Sequence, residues 1–294
     1  MTLESRVRTL VSGRLQILWP LALGLAALLI PTAFTLANQV WSRDAGAHGP
    51  IIILTGLWLL WRQLKDLNRD SRPGNVVVAL VLLAIALAFY VFGRAFDFVY
   101  LEAGGLYAAA LTLIYAEIGL APMLRNWFPF VYLCFAIPPP HWLLDVVTAP
   151  LKRFVSSAAT GTLELFNLPV SHEGVTIFIA QYQLLVEDAC SGMNSLIGLI
   201  AISLLYIYLA HGSSWRHALT LIIFIIPIAV LANILRIMFL ILLTYFFGDS
   251  VGQGFLHVSA GMALFAVSLL IIFALDQVLT RTYQNLRGLH ARKA

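Results

Sequence analysis

Residues 218–246 read ALTLIIFIIPIAVLANILRIMFLILLTYF. One charged side chain, Arg236, stands in the run, with Asn233 three positions before it and Pro227 near the middle. An apolar run of about 20 residues suffices for a helix to cross a hydrocarbon core about 30 Å thick. The rest of the chain has the same character. Of its 294 residues 61% are hydrophobic and 11% charged, and the mean hydropathy is +0.89. A soluble domain carries about 25% charged residues. The composition predicts an all-α polytopic membrane protein, in which the net charge of +4 matters by where it falls. Nucleic-acid binding is not expected.

Eight spans are predicted, at about 15–37, 50–61, 75–93, 104–121, 127–140, 191–210, 218–246 and 257–279. Basic residues precede the first run, but no small-residue cleavage site follows it, so it is expected to be retained as a span. Arg62, Lys65, Arg69 and Arg72 are expected in a basic loop closed by Pro73-Gly74, and Arg94, Asp97 and Glu102 between spans three and four. The fifth run ends in Pro138-Pro139-Pro140, which cannot continue a helix. The whole of 1–294 reads as a single integral membrane domain.

Residues 141–189 are too polar to span. Trp142 to Phe166 mixes apolar residues with Asp145, Lys152, Arg153 and Glu164, as an interfacial amphipathic helix does. Beyond Pro169, the runs 175–179 and 183–186 are predicted to pair as a small β-hairpin. An open sheet edge in lipid would strand backbone polar groups, so the hairpin is expected outside the hydrocarbon.

Loop charge sets the orientation. With eight spans, one side holds thirteen Lys and Arg and the other holds Arg43, Arg94, Lys152 and Arg153. The thirteen-residue side, with both termini, is expected to be cytoplasmic. Cys190 then opens span six at the outer face, and His257 opens span eight there. Arg236 lies about 27 Å along span seven from the inner face, near the outer boundary.

A thiol, a guanidinium and an imidazole thus converge on one membrane face. Cys190 sits in Glu187-Asp188-Ala189-Cys190-Ser191-Gly192-Met193-Asn194-Ser195-Leu196. A thiol at the first turn of a helix feels unpaired N–H groups and the positive dipole end, which favour the nucleophilic thiolate. Together the three make a coherent acyl-transfer site: the thiolate attacks a peptide carbonyl, the guanidinium stabilises the oxyanion, and the imidazole protonates the leaving amine. Each also has a plainer use. Cys190 fits a small packed residue, Arg236 a membrane anchor, and His257 an interfacial histidine. Asn194 and Asn233 fit helix–helix hydrogen bonding, and Glu187 and Asp188 a solvated pair at a helix N-terminus. Cys134 lies in an apolar run, and both cysteines read as free thiols. His48, His141 and His172 are also placed outside, but without two-histidine helical spacing no metal site is expected.

The run Glu187 to Leu196 resembles the cysteine motif of the exosortase/archaeosortase family. Asn233-Ile234-Leu235-Arg236-Ile237 resembles that family's arginine motif, and His257 with Gly261 and Phe265 its histidine motif. His48-Gly49-Pro50, Ile137-Pro138-Pro139-Pro140, Leu168-Pro169-Val170 and Glu173-Gly174 match in order, so the resemblance covers about 41–275. It implies a membrane cysteine transpeptidase or protease of the bacterial cytoplasmic membrane. Such enzymes act at the extracytoplasmic face on exported proteins bearing a C-terminal sorting signal: a short Pro-Glu-Pro motif, a transmembrane helix and a basic tail. It implies Cys190 as nucleophile, Arg236 as oxyanion or substrate stabiliser and His257 as acid/base, with Glu187, Ser191, Asn194 and Asn233 in support. No cofactor is expected, and the partners are the tail-bearing proteins and membrane lipids. Two positions depart from the usual pattern: many members have a basic residue where Asn194 stands, and His172 replaces a usual Arg.

Two other classes use the same residues differently. A transporter or lipid-linked saccharide flippase would bind an anion at Arg236; the chain lacks an internal repeat and clusters its polar residues at one face. A non-catalytic scaffold for envelope assembly would not need Cys190.

Overall fold

The computed structural model describes residues 3–42, 46–69, 71–185, 192–211, 215–248, 263–264 and 266–281. They form two compact units, the first running to Arg43 and from Gly49 to Pro138, the second comprising the turn at 46–48 and the chain from Pro139 on.

The first unit is helical. Helix α1 (Leu3–Leu36) continues through a π-helical turn, Ala37–Trp41. Helix α2 (Gly49–Arg69) is longer than the expected 50–61 span. Arg62, Lys65 and Arg69, expected in a loop, ride on its last two turns, and Arg62 lies 5.6 Å over the Trp58 ring. Helix α3 (Val76–Ala95) starts at Asn75, whose side-chain oxygen accepts from the N–H groups of Val77 and Val78 at 2.9 and 3.3 Å. That is the N-cap arrangement Asn favours.

Helix α4 (Val99–Ile118) starts earlier than expected, because only residues 96–98 separate it from α3. Asp97 takes the left-handed conformation in this turn, at φ 57°. Small residues let the two backbones close on each other. Ala79, Ala86 and Gly93 recur every seven positions on α3, all buried, opposite Gly105 and Ala109 of α4. A Cβ on Gly93 or Gly105 would run into backbone of the facing helix. Arg94 therefore ends α3 and Glu102 opens α4, each at the helix end its charge favours. Helix α5 (Leu120–Arg125) and helix α6 (Trp127–Leu133) follow. The expected span 127–140 is helical only to Leu133, with a 3₁₀ turn at Cys134–Ala136 before the prolines.

In the second unit helix α7 (His141–Glu164) ends in a Schellman motif. Asn167 sits at φ 59°, Asn167 N–H donates to Glu164 C=O at 2.9 Å, and Leu168 N–H reaches Leu163 C=O at 3.3 Å. Pro169 then bars any continuation. Three antiparallel strands follow in the order β1 (Val170–Glu173), β2 (Thr176–Ile179), β3 (Tyr182–Leu185). The expected two-stranded hairpin is thus a three-stranded sheet. The strand missed, Val-Ser-His-Glu, has no alternating apolar signal; it is recruited by pairing Val170 with Ile179 and Glu173 with Thr176. Helix α8 (Gly192–His211), helix α9 (Trp215–Phe247) and helix α10 (266–281) complete the unit.

Among the described residues four helical stretches are long and apolar enough to cross a membrane: Trp19–Trp41, Val76–Ala95, Val99–Ile118 and Leu219–Phe247. Trp127–Ala136 and Ile197–Ala210 are apolar but shorter.

Candidate active site

Helix α9 carries two of the residues expected at the site, Asn233 and Arg236. Leu221, Ile225, Ala229, Asn233, Arg236, Ile237, Leu240 and Ile241 are buried along it, at the three- and four-residue spacing of one helix face. Its first half packs Leu221, Ile225 and Ala229 against Leu199 and Ile207 of α8 and Ile272 of α10. Its second half packs Ile237 and Ile241 against Val155, Ala159 and Leu163 of α7 and Val170, Ile177, Ile179 and Leu184 of the sheet. Asn233 and Arg236 occupy the step between these two cores, each 7% exposed. A buried guanidinium is costly in apolar surroundings and is kept where protein or water receives it. Arg236 is therefore enclosed by its own unit, which is more than an arginine reaching for lipid headgroups needs.

The backbone levels this pair with the start of α8. Helices α8 and α9 pack together, and residues 212–214 join them. Residues equally far from the closure of such a helical hairpin lie level. Gly192, the first residue of α8, is thus level with about residue 234 of α9. Leu184 of strand β3, close before the cysteine motif in sequence, shares a core with Ile237, the residue after Arg236.

Of the residues expected at the site, Arg236 and Asn233 are described in full and stand one turn apart on one face. Asn194 is in the first turn of α8. Cys190, Glu187, Ser191 and His257 lie outside the described residues. Cys134 is a free, exposed thiol whose Sγ lies 3.6 Å from Phe130 C=O, an ordinary contact within one turn of helix. His172 is on β1, opposite Ile177. Among the described residues no group of three or more His, Cys, Asp or Glu could hold a metal ion.

One buried acid escaped the sequence reading. Asp276 of α10, 4% exposed, accepts from the Tyr206 hydroxyl of α8 at 2.5 Å. The signal was a single carboxylate inside an apolar run. A charged-residue scan of each span would have found it.

Helix α9 thus offers a buried guanidinium and a buried amide one turn apart on one face. The sequence model of the transmembrane exosortase family matches residues 40–274. The chain belongs to the transmembrane exosortase family. Searches of curated proteins and of solved structures give no match. The matched region contains all of α9, both of its cores and the cysteine, arginine and histidine motifs. It stops before the basic tail.

Proposed function

We propose that this exosortase is a membrane-embedded cysteine transpeptidase or protease. It cleaves the C-terminal sorting tail of exported proteins at the extracytoplasmic face. The observation that supports this most is the buried Asn233–Arg236 pair on α9, level with the helix that the cysteine motif opens. A guanidinium fixed in a low-dielectric wall stabilises a developing oxyanion without reorganising, which is where catalysis gains most.

In the mechanism the Cys190 thiolate attacks the scissile carbonyl carbon, and the carbonyl oxygen takes the negative charge. Arg236 donates hydrogen bonds to that oxygen. As the tetrahedral intermediate collapses, the C–N bond breaks and the protonated His257 imidazole gives its proton to the departing amine. The product is a thioester on Cys190, resolved by water or by an amine acceptor. Asn233 supports the guanidinium from the adjacent turn.

Eight spans with both termini cytoplasmic would put Cys190 and His257 at the outer face, on the thirteen-to-four asymmetry of basic residues. Reporter fusions after residues 68, 160 and 290 test this. Cytoplasmic signals at 68 and 290 with an extracytoplasmic one at 160 agree with it; an extracytoplasmic signal at 290 overturns the orientation. For the chemistry, Cys190→Ala is expected to accumulate at the parental level and leave a tail-bearing substrate uncleaved, while Cys134→Ala cleaves normally. Equal cleavage by Cys190→Ala and the parent would refute it.

A further inference from the structure

The first unit holds an apolar slot of 290 Å³ between α1, α2, α4 and α6. On α4 its lining runs from Ala103 to Ile114, and on α1 from Leu36 back to Leu25. At 1.5 Å per residue either stretch makes the slot about 16 Å long. Charge fixes the level of one end. Arg94 donates to Thr35 at 2.6 Å and to Glu102 at 3.1 Å, the residues next to Leu36 and Ala103. Charged side chains on membrane helices gather at the boundary, and Trp41 lines the slot at that end, where interfacial tryptophans sit. The other end, at Leu25 and Ile114, is about 16 Å deeper, which is about half of a hydrocarbon core about 30 Å thick. The slot is therefore one leaflet deep.

The lining is apolar over that whole depth, and its hydroxyls are engaged within the protein: Thr32 donates to Leu28 C=O at 2.8 Å and Tyr107 to Phe130 C=O. Water would find no partners in it, whereas a dry apolar cavity of about 150 Å³ already takes up benzene. One side of the slot is open, because Leu29 and Leu57 of the lining are 52% and 53% exposed. Its floor is closed by Thr32, Leu36, Ala103 and Phe130, all buried. Exposed leucines on membrane helices meet lipid tails, which are equally apolar. A helix does not fit: at 10 Å or more across, a 16 Å length of it needs about 1,200 Å³. We propose that the slot binds one fatty-acyl chain of a membrane phospholipid, its carboxyl end level with Arg94 and its methyl end level with Ile114. The chain gains dispersion contacts along both walls. The site lies wholly in the first unit and does not depend on the reading of Cys190.

The full-length protein and three variants in lipid nanodiscs test it. Ala33→Phe and Ala110→Phe plug the slot from its α1 and α4 walls. Ala88→Phe puts the same ring on an exposed position of α3, outside the lining. The probe is a phosphatidylglycerol with a photoactivatable diazirine in one chain, either near the carboxyl end or near the methyl end. Labelled residues are mapped by mass spectrometry. In the parent, the first probe is expected to label the lining near Ala103 and Leu36, and the second the lining near Ile114 and Leu25. In both plugged variants, labelling by the second probe at Ile114 and Leu25 should fall at least about tenfold, equivalent to about 1.4 kcal/mol of binding. Ala88→Phe should keep the parental pattern, and label on the exposed Leu54 should be the same in all four proteins. The parental pattern decides the matter even if a plugged variant does not fold. Label confined to exposed residues, or a lining labelled alike by both probes at every depth, would overturn the proposal. So would parental labelling in a folded plugged variant. A diazirine placed on the tail helix of a substrate is expected to miss the lining; if it labels the lining in place of the lipid, the slot belongs to a protein partner and the proposal fails.

Discussion

Two arginines on membrane helices are treated in opposite ways. Arg94, in the first unit, is 47% exposed and makes two contacts through one nitrogen: Nη1 donates to Thr35 Oγ1 at 2.6 Å and to Glu102 Oε1 at 3.1 Å. Glu102 is the buried member, 2% exposed. The pair straps the α3–α4 turn to α1, and the arginine neutralises a carboxylate that would otherwise be buried alone. Arg236, in the second unit, is the buried member itself, 7% exposed, at the step between the two apolar cores that its helix packs against. A strap needs a positive charge within reach of an anion. An oxyanion stabiliser needs planar, forked donors held at one place. The difference in burial and setting separates a structural arginine from a candidate catalytic one.

Conservative replacement at each site should split the two. Arg236→Lys is expected to reach the membrane in normal amount yet cleave its substrate about 10²–10³-fold more slowly, the usual loss for one oxyanion donor. Near-parental cleavage by the lysine variant would make Arg236 an anchor. Arg94→Ala is expected to act on stability. It leaves a buried carboxylate without its cation, at about 1–3 kcal/mol, seen as a lower melting temperature in detergent with cleavage per folded molecule unchanged. The smallest effect belongs to Arg94→Lys. Because Nη1 alone makes both contacts, an ammonium can replace it, and melting should fall by less than about 1 kcal/mol equivalent. A large loss of cleavage in either Arg94 variant would end the contrast.

The parts of the fold that were legible in the sequence are those set by hydropathy and by local breakers. The membrane class, the spans around 75–93 and 218–246, the helix after Pro140 and the strands at 176–179 and 182–185 were all readable from apolar runs and their boundaries. Boundaries failed where tertiary contacts decide them. Nothing in Arg94, Asp97 and Glu102 as a string of polar residues says that two of them belong to helices; the small-residue seam of Ala86, Gly93 and Gly105 does, and only once the helices meet. Strand β1 is invisible alone because its partner supplies the pairing. At the site, Arg236 stood out as the one charge in a long apolar run. His48 was legible only as an outer histidine and as part of the His48-Gly49-Pro50 resemblance; its approach to Gly198, 150 residues further on, leaves no local pattern.

The most direct test of the account is the covalent intermediate. A tail-bearing substrate is incubated with membranes carrying the parental protein and with membranes carrying the Cys190→Ala protein, and the peptide spanning position 190 is examined by mass spectrometry after rapid acid quench. The account predicts a substrate-derived acyl group on Cys190 that hydroxylamine removes, with none in the Cys190→Ala protein. Cleavage of the substrate at the parental rate by the Cys190→Ala protein would contradict it.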